Sequence, residues 1–161
     1  MLSSLSCQSP SQQAVPQPAS SGSAPAAAVP ANSAAPQPWY QGAWQGSYQA
    51  ELFRIELPVG AVREWKKDDG RQGSGAGKLS LTAGPDGNVT GTASGPLGEQ
   101  AVTGHIDGNR AALSLLPKEA GGFQGVILAD QAPEGMKGKL SASTGDSLSV
   151  RQATVTLTRA P

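Results

Sequence analysis

The stretch from residue 39 to residue 53 reads WYQGAWQGSYQAELF and contains five of the seven aromatic residues in the 161-residue chain. Apolar or small residues alternate with polar ones in its second half: Trp44, Gly46, Tyr48, Ala50 and Leu52 are separated by Gln45, Ser47, Gln49 and Glu51. A period of two places alternate side chains on opposite faces of an extended chain. The stretch therefore predicts a β-strand with one buried face and one solvated face.

The same alternation recurs through the rest of the chain, and turn sequences such as GPDGN at 84–88 and DGN at 107–109 separate the runs. Such turns are typical of β-hairpins. The pattern predicts strands over 43–53, 61–67, 77–83, 88–94, 100–107, 110–116, 123–130, 136–143 and 147–159.

Eight or nine short antiparallel strands in series predict an all-β domain, either a barrel or a sandwich. We favour a single small antiparallel barrel, because closing the sheet removes its exposed edges. The last strand should carry a bulge, since Leu148 and Val150 share one parity while Ala153 and Val155 share the other. Glycines inside the predicted strands indicate bends or close approach of backbones.

The residues before Trp39 are of a different kind. Residues 8–38 consist largely of Ser, Pro, Ala and Gln, and the first charged residue of the chain is Glu51. Such a composition buries too little apolar surface to offset the entropy of ordering, and it predicts a disordered linker. We therefore divide the chain into a short leader at 1–7, a linker at 8–38 and a barrel domain at 39–161.

The charge balance of the chain argues against nucleic acid as a partner. Twelve basic residues balance twelve acidic ones, so the chain lacks the positive excess typical of nucleic-acid binding. The sequence also contains no apolar run near the ~20 residues of a membrane-spanning helix. Any attachment to a membrane should then be covalent or through a partner.

The sequence predicts no enzymatic activity and no cofactor. GRQGSGAGKLS at 70–80 approaches a phosphate-binding loop, but Gln72 stands where the first glycine belongs and Leu79 where Ser or Thr should follow the lysine. With His105 and Cys7 as the sole residues of their types, neither a zinc site of the usual kind nor a Cys/His pair is expected. The G-x-S-x-G motif of serine hydrolases is absent.

Cys7 follows Ser4, Leu5 and Ser6 and precedes the linker. This arrangement resembles the end of a bacterial lipoprotein signal peptide, in which the cysteine receives a diacylglyceryl group. It departs from that family at Ser4, where leucine is expected, and in lacking the basic start and apolar core, as if the chain began late. The resemblance implies lipid attachment at Cys7. Gln8, in place of aspartate, implies an outer-membrane anchor facing the periplasm or the surface.

Gly42, Trp44, Gly46 and Tyr48 form a G-x-W-x-G-x-Y pattern. It resembles the first strand of small calycin-like and avidin-like barrels, in which a tryptophan closes one barrel end. The resemblance implies a fold and does not transfer a ligand.

Three functions are consistent with these features. A tethered, non-enzymatic domain could bind another protein or polymer of the cell envelope, because exposed aromatic residues are favoured anchors of interfaces. Alternatively, the barrel could carry a small apolar ligand, or it could inhibit a secreted or host hydrolase. The candidate ligand-binding or partner-binding residues are Trp39, Tyr40, Trp44, Tyr48 and Trp65.

Overall fold

The computed structural model describes residues 36–53, 67–146 and 149–161, which form eight β-strands. The strands are β1 (Gly42–Leu52), β2 (Gly75–Ala83), β3 (Asn88–Ser94), β4 (Gln100–Asp107), β5 (Arg110–Pro117), β6 (Gln124–Ala132), β7 (Gly135–Ser143) and β8 (Val150–Arg159).

Each strand pairs antiparallel with the next one in the chain, and β1 also pairs with β8. The sheet is therefore a closed meander barrel, as the sequence predicts, without a free edge among the described strands. We call the end of the barrel at which β1 ends and β2 begins the loop end. We call the opposite end, at which β1 begins and β8 ends, the terminal end.

Alternation along each strand separates a buried interior from an exposed wall. In β1 the side chains of Trp44, Tyr48 and Ala50 are buried, whereas Gln45 and Gln49 are exposed. The interior is built mainly of aliphatic side chains from all eight strands. Its fully buried members include Leu97, Val102, Leu115, Ile127, Leu140, Val155 and Leu157.

The structure differs from the sequence-based prediction at β8. The predicted bulge is wrong, because β8 pairs in unbroken register with β7 over Val150–Leu157 and with β1 over Arg151–Arg159. Regular alternation instead places Arg151, and not Val150, on the inward face of β8. Most of the predicted strand at 61–67 lies outside the described residues, and its last residue, Lys67, is not in a strand.

Glycines let large interior side chains approach the opposite backbone. A Cβ at Gly77 would lie within 3.0 Å of the Tyr48 ring, and one at Gly104 would collide with Leu113. Large interior side chains therefore occupy the space that a side chain at these glycines would need, in agreement with the close approach predicted from the sequence. The core is tightly filled as a result.

Candidate functional site

The terminal end of the barrel is covered by the residues that precede β1. Trp39 Nε1 donates to the carbonyl of Gly108 at 3.0 Å, and the Tyr40 hydroxyl donates to the carbonyl of Pro85 at 3.3 Å. Both aromatic side chains are half-buried and pack against the core. Since their polar atoms already bond neighbouring turns, these two candidate residues hold a cap across the barrel end.

Trp44 supports this cap from inside the barrel. Its side chain is 2% exposed, and its Nε1 donates to the carbonyl of Tyr40 at 2.7 Å. The guanidinium of Arg159 lies 5.4 Å from the Trp44 ring centroid, and the Trp39 ring meets it edge-on at 6.1 Å. Arg159 also donates to the Trp39 carbonyl. An outside partner therefore cannot contact Trp44 without opening the cap.

A buried arginine closes the loop end. Arg151 is fully buried and forms a two-pronged pair with Asp68, with Nη1–Oδ2 at 2.6 Å and Nη2–Oδ1 at 2.8 Å. Its Nε donates to the carbonyl of Gln72 at 2.8 Å, and its guanidinium lies 5.5 Å from the Phe123 ring centroid. We call residues 67–74, which this arginine holds against the barrel, the closing segment.

This arrangement favours the ionised form of the Asp68 carboxyl. The hydrogen bond from Arg151 is the main cause that lowers the pKa of Asp68, and the backbone N–H of Gly70 lowers it further, while burial opposes both. A carboxylate and a guanidinium that share two hydrogen bonds in a site shielded from water form a strong, directional pair. The pair is thus a structural clasp.

Tyr48 lies inside the barrel near the loop end. Its side chain is 2% exposed, and its hydroxyl donates to the carbonyl of Ser94 at 3.4 Å. Burial raises the pKa of the phenol and so further favours its neutral form. The residue that the sequence proposed for ligand binding is therefore enclosed by the core.

The interior as a whole is filled with side chains. Six large side chains that point into the barrel are each no more than 3% exposed: Trp44, Tyr48, Leu79, Leu81, Ile106 and Leu113. Three depressions of about 290 to 390 Å³ open instead on the outer wall. These observations favour packing over ligand carriage for the six residues.

The outer wall is polar over most of its surface. Its exposed threonines lie mainly on β2, β3, β4 and β8, at Thr82, Thr90, Thr92, Thr103, Thr154, Thr156 and Thr158. The exception is a row of aliphatic side chains on β5 and β6, formed by Leu116 (52% exposed), Val126 (49%) and Leu128 (59%). We call these three residues the outer stripe.

A groove of about 390 Å³ lies beside the outer stripe on its β7 side. Leu116 and Val126 line one flank, Val150 contributes on β8, and small residues including Gly125 and Ser141 lie between them. Small side chains between larger aliphatic ones leave a trough in the wall. The trough has the size and apolar lining to accept one or two side chains of a binding partner.

The outer stripe is bordered by positive charge. Lys139 is the cross-strand partner of Leu128, and Lys137 lies opposite Asp130 on the same face. Asp130 already pairs with Arg110 at 3.1 Å. Among the described residues no carboxylate lies within 4.0 Å of the ammonium group of either lysine. Two positive charges are therefore available beside an exposed apolar surface.

The remaining predicted residues lie outside the described ranges. Trp65 and Cys7 fall within residues 54–66 and 1–35, respectively. In the described part of the chain, no cluster of three or more His, Cys, Asp or Glu side chains could hold a metal ion. No helix there has the length and apolarity to span a membrane.

The sequence reading missed the clasp and the outer stripe. A signal for the stripe was present, because Leu115–Leu116 and Val126–Ile127–Leu128 place apolar residues on both faces of a strand. Arg151 gave no comparable signal, since the pairing depends on Asp68, which is 83 residues away in the chain.

Comparison of the chain with protein-family models, with curated proteins and with solved structures found no match.

Proposed function

We propose that this protein is a non-enzymatic binding module of the bacterial cell envelope, lipid-anchored through Cys7, whose barrel binds a partner protein on its outer wall. The observation that carries the proposal is the outer stripe with its adjoining groove. Exposed aliphatic side chains that lie together, rather than singly, are typical of interaction sites. The filled interior and the two closed barrel ends favour this function over carriage of a small apolar ligand.

The size of the stripe indicates what kind of partner it fits. Burying the exposed halves of three aliphatic side chains contributes on the order of 2 to 4 kcal/mol. Micromolar affinity requires about 8 kcal/mol, so apolar contact must be supplemented by charge and by polar contacts at the rim. Lys137 and Lys139 supply the charge. The matching partner surface carries one or two aliphatic anchors flanked by acidic side chains.

The same charges disfavour a second copy of the chain as the occupant. A symmetric dimer brings the same surface of both subunits together. Pairing through the stripe would place both pairs of Lys137 and Lys139 at one interface, where the neighbouring carboxylate of Asp130 already pairs with Arg110. A partner protein with acidic residues is therefore the better fit.

The binding surface can be tested by cross-linking and mutation. A photo-reactive residue at position 128 is expected to give a defined adduct with one envelope protein, whereas the same residue at Thr92, on the polar wall, is not. With that protein purified, Leu128→Ser should weaken binding roughly tenfold by removing an apolar anchor, without changing the melting temperature. Lys139→Glu should weaken it further at low salt, because the acidic partner is then repelled.

Each alternative occupant of the outer stripe predicts a different cross-linking or binding result. An adduct with twice the mass of the chain would replace the proposal with a homodimer, and a lipid adduct would replace it with a membrane contact. Equal affinity of Leu128→Ser and the unmodified protein for the purified partner would show that the stripe is not the binding surface. The matched exposed variant Thr92→Ser should bind as the unmodified protein does.

The anchor is tested separately, because Cys7 lies outside the described residues. In bacteria the protein is expected to partition into detergent and to carry the mass of acyl chains at Cys7, and Cys7→Ala should lose both properties. A protein with an unmodified Cys7 that stays in the aqueous phase would contradict the anchor. It would leave binding at the outer stripe unaffected.

A further inference from the structure

The exposed large hydrophobic side chains of the described residues are Phe53, Leu116, Val126 and Leu128. The last three form the outer stripe. Phe53 is 39% exposed and directly follows β1. Its backbone N–H donates to the carbonyl of Val150 at 3.2 Å, so Phe53 lies beside the start of β8.

The strand register places Phe53 across the groove from the outer stripe. Gln124 of β6 pairs with Ser143 of β7, and Ser143 pairs with Val150 of β8. One row therefore runs from β6 over β7 and β8 to Phe53. Val150 also lines the groove of about 390 Å³. The groove thus has an apolar border on each side, the outer stripe on one and Val150 with Phe53 on the other.

The floor of the groove follows the outward face of β7. Ser141 and Ser143 carry short side chains there, and Lys139 and Lys137 follow toward the terminal end. Since β6 and β8 each lie about 4.8 Å from β7, the two apolar borders are about 10 Å apart. The run from Lys137 to Ser143 is about 20 Å long.

These dimensions fit an α-helix, whose diameter with side chains is about 10–12 Å. An extended peptide binds a sheet by adding a strand to a free edge. The eight described strands close into a barrel and leave no such edge among them. A helix needs none, because its backbone hydrogen bonds are internal, and its apolar face can contact both borders of a groove.

We propose that the binding element of the partner is one amphipathic α-helix of about 13 residues that lies along β7, between the outer stripe and Phe53. This inference rests on the proposed function and adds the form of the partner's binding segment. The apolar face of the helix covers Ser141 and Ser143. Acidic residues at one end of the helix meet Lys137 and Lys139, which have no carboxylate within 4.0 Å among the described residues.

Photo-reactive residues at positions 53 and 128, introduced one at a time into the full chain, test whether one segment spans the groove. Both should cross-link the same protein, and mass spectrometry should place the two attachment points within one segment of about 13 residues. An adduct at 128 with none at 53, or with a different segment at 53, would overturn the helix and leave the proposed function standing. Without a protein adduct at 128, the proposed function fails and the helix with it.

A synthetic, isotope-labelled peptide of the cross-linked segment tests the conformation. Its carbon chemical shifts should be helical when it is bound to the unmodified protein. A peptide that binds in an extended conformation, or that does not bind, would overturn the inference.

Binding of the same peptide to variants tests the two ends of the groove. Phe53→Ser should weaken binding roughly tenfold without changing the melting temperature, because it removes the apolar border opposite the stripe. Lys137→Glu should weaken binding at low salt, whereas the control Lys78→Glu, on the outward face of β2, should not. Unchanged affinity of Phe53→Ser would contradict the placement of the helix, even if Leu128→Ser weakens binding.

Discussion

Replacing Arg151 with alanine is expected to lower the free energy of unfolding by about 3–5 kcal/mol, because it leaves the Asp68 carboxylate in a buried site without its cation. The side chain of Asp68 is 9% exposed, so little water reaches the carboxylate to replace the guanidinium. The carbonyl of Gln72 and the face of Phe123 lose their partner as well. Urea unfolding at pH 7, followed by circular dichroism, measures the change.

The matched control is Arg110→Ala. Arg110 also pairs with an aspartate at 3.1 Å, but its side chain is 73% exposed and that of Asp130 is 62% exposed. An exposed pair contributes about 0–1 kcal/mol, so this variant should unfold almost as the unmodified protein does. Equal effects of the two substitutions would contradict the role assigned to the buried clasp.

Acid unfolding separates the charge of the clasp from the volume of the arginine side chain. The pKa of Asp68 is lowered in the folded state, so its contribution is present above the unfolded value of about 3.9 and is lost as the pH falls through the folded value. The stability difference between the unmodified protein and Asp68→Asn should therefore shrink below about pH 4. Asp86, whose pKa is also lowered, remains in both proteins and cancels in the comparison.

Much of the barrel could be predicted from the sequence because its determinants are local. Alternation and turn sequences indicate strands, and a series of hairpins favours neighbouring pairs, so the β3 boundaries at Asn88–Ser94 and the β4 boundaries at Gln100–Asp107 are predicted correctly. The error at β8 arose because its determinant, a contact with a distant residue, is not local. The change of parity between Val150 and Ala153 was interpreted as a bulge, because nothing near Arg151 in the chain indicates that a charged residue continues the inward face of β8.

The candidate site was harder to predict for a related reason. Aromatic residues of a barrel have two uses that look alike in sequence, filling the interior and contacting a partner, and the difference depends on which way each side chain faces. Trp44 and Tyr48 face inward and fill the core, and Trp39 and Tyr40 cap it. The exposed aliphatic surface lies on the opposite parity of β6, at Val126 and Leu128.

Replacing Trp44 with alanine is expected to destabilise the protein by about 3–5 kcal/mol, the usual loss for a large aromatic side chain removed from a core. Trp44 packs beneath the cap and bonds the carbonyl of Tyr40, so its loss should also release the cap. Trp44→Phe keeps a ring in the core but removes the indole N–H, and it should destabilise the protein less. Urea unfolding of the three proteins measures both changes.

Trp39→Ala distinguishes the core role of Trp44 from a general effect of losing an aromatic ring. Trp39 is half-buried and covers the barrel end from outside, so its removal should cost clearly less than removal of Trp44. In a Trp65→Phe background, where Trp39 is the remaining tryptophan, Trp44→Ala should emit at longer wavelength than Trp44→Phe, because the Trp39 ring loses its edge-on contact and becomes more exposed to water. If Trp39→Ala is as destabilising as Trp44→Ala, the terminal cap, and not the buried indole, holds this end of the barrel closed.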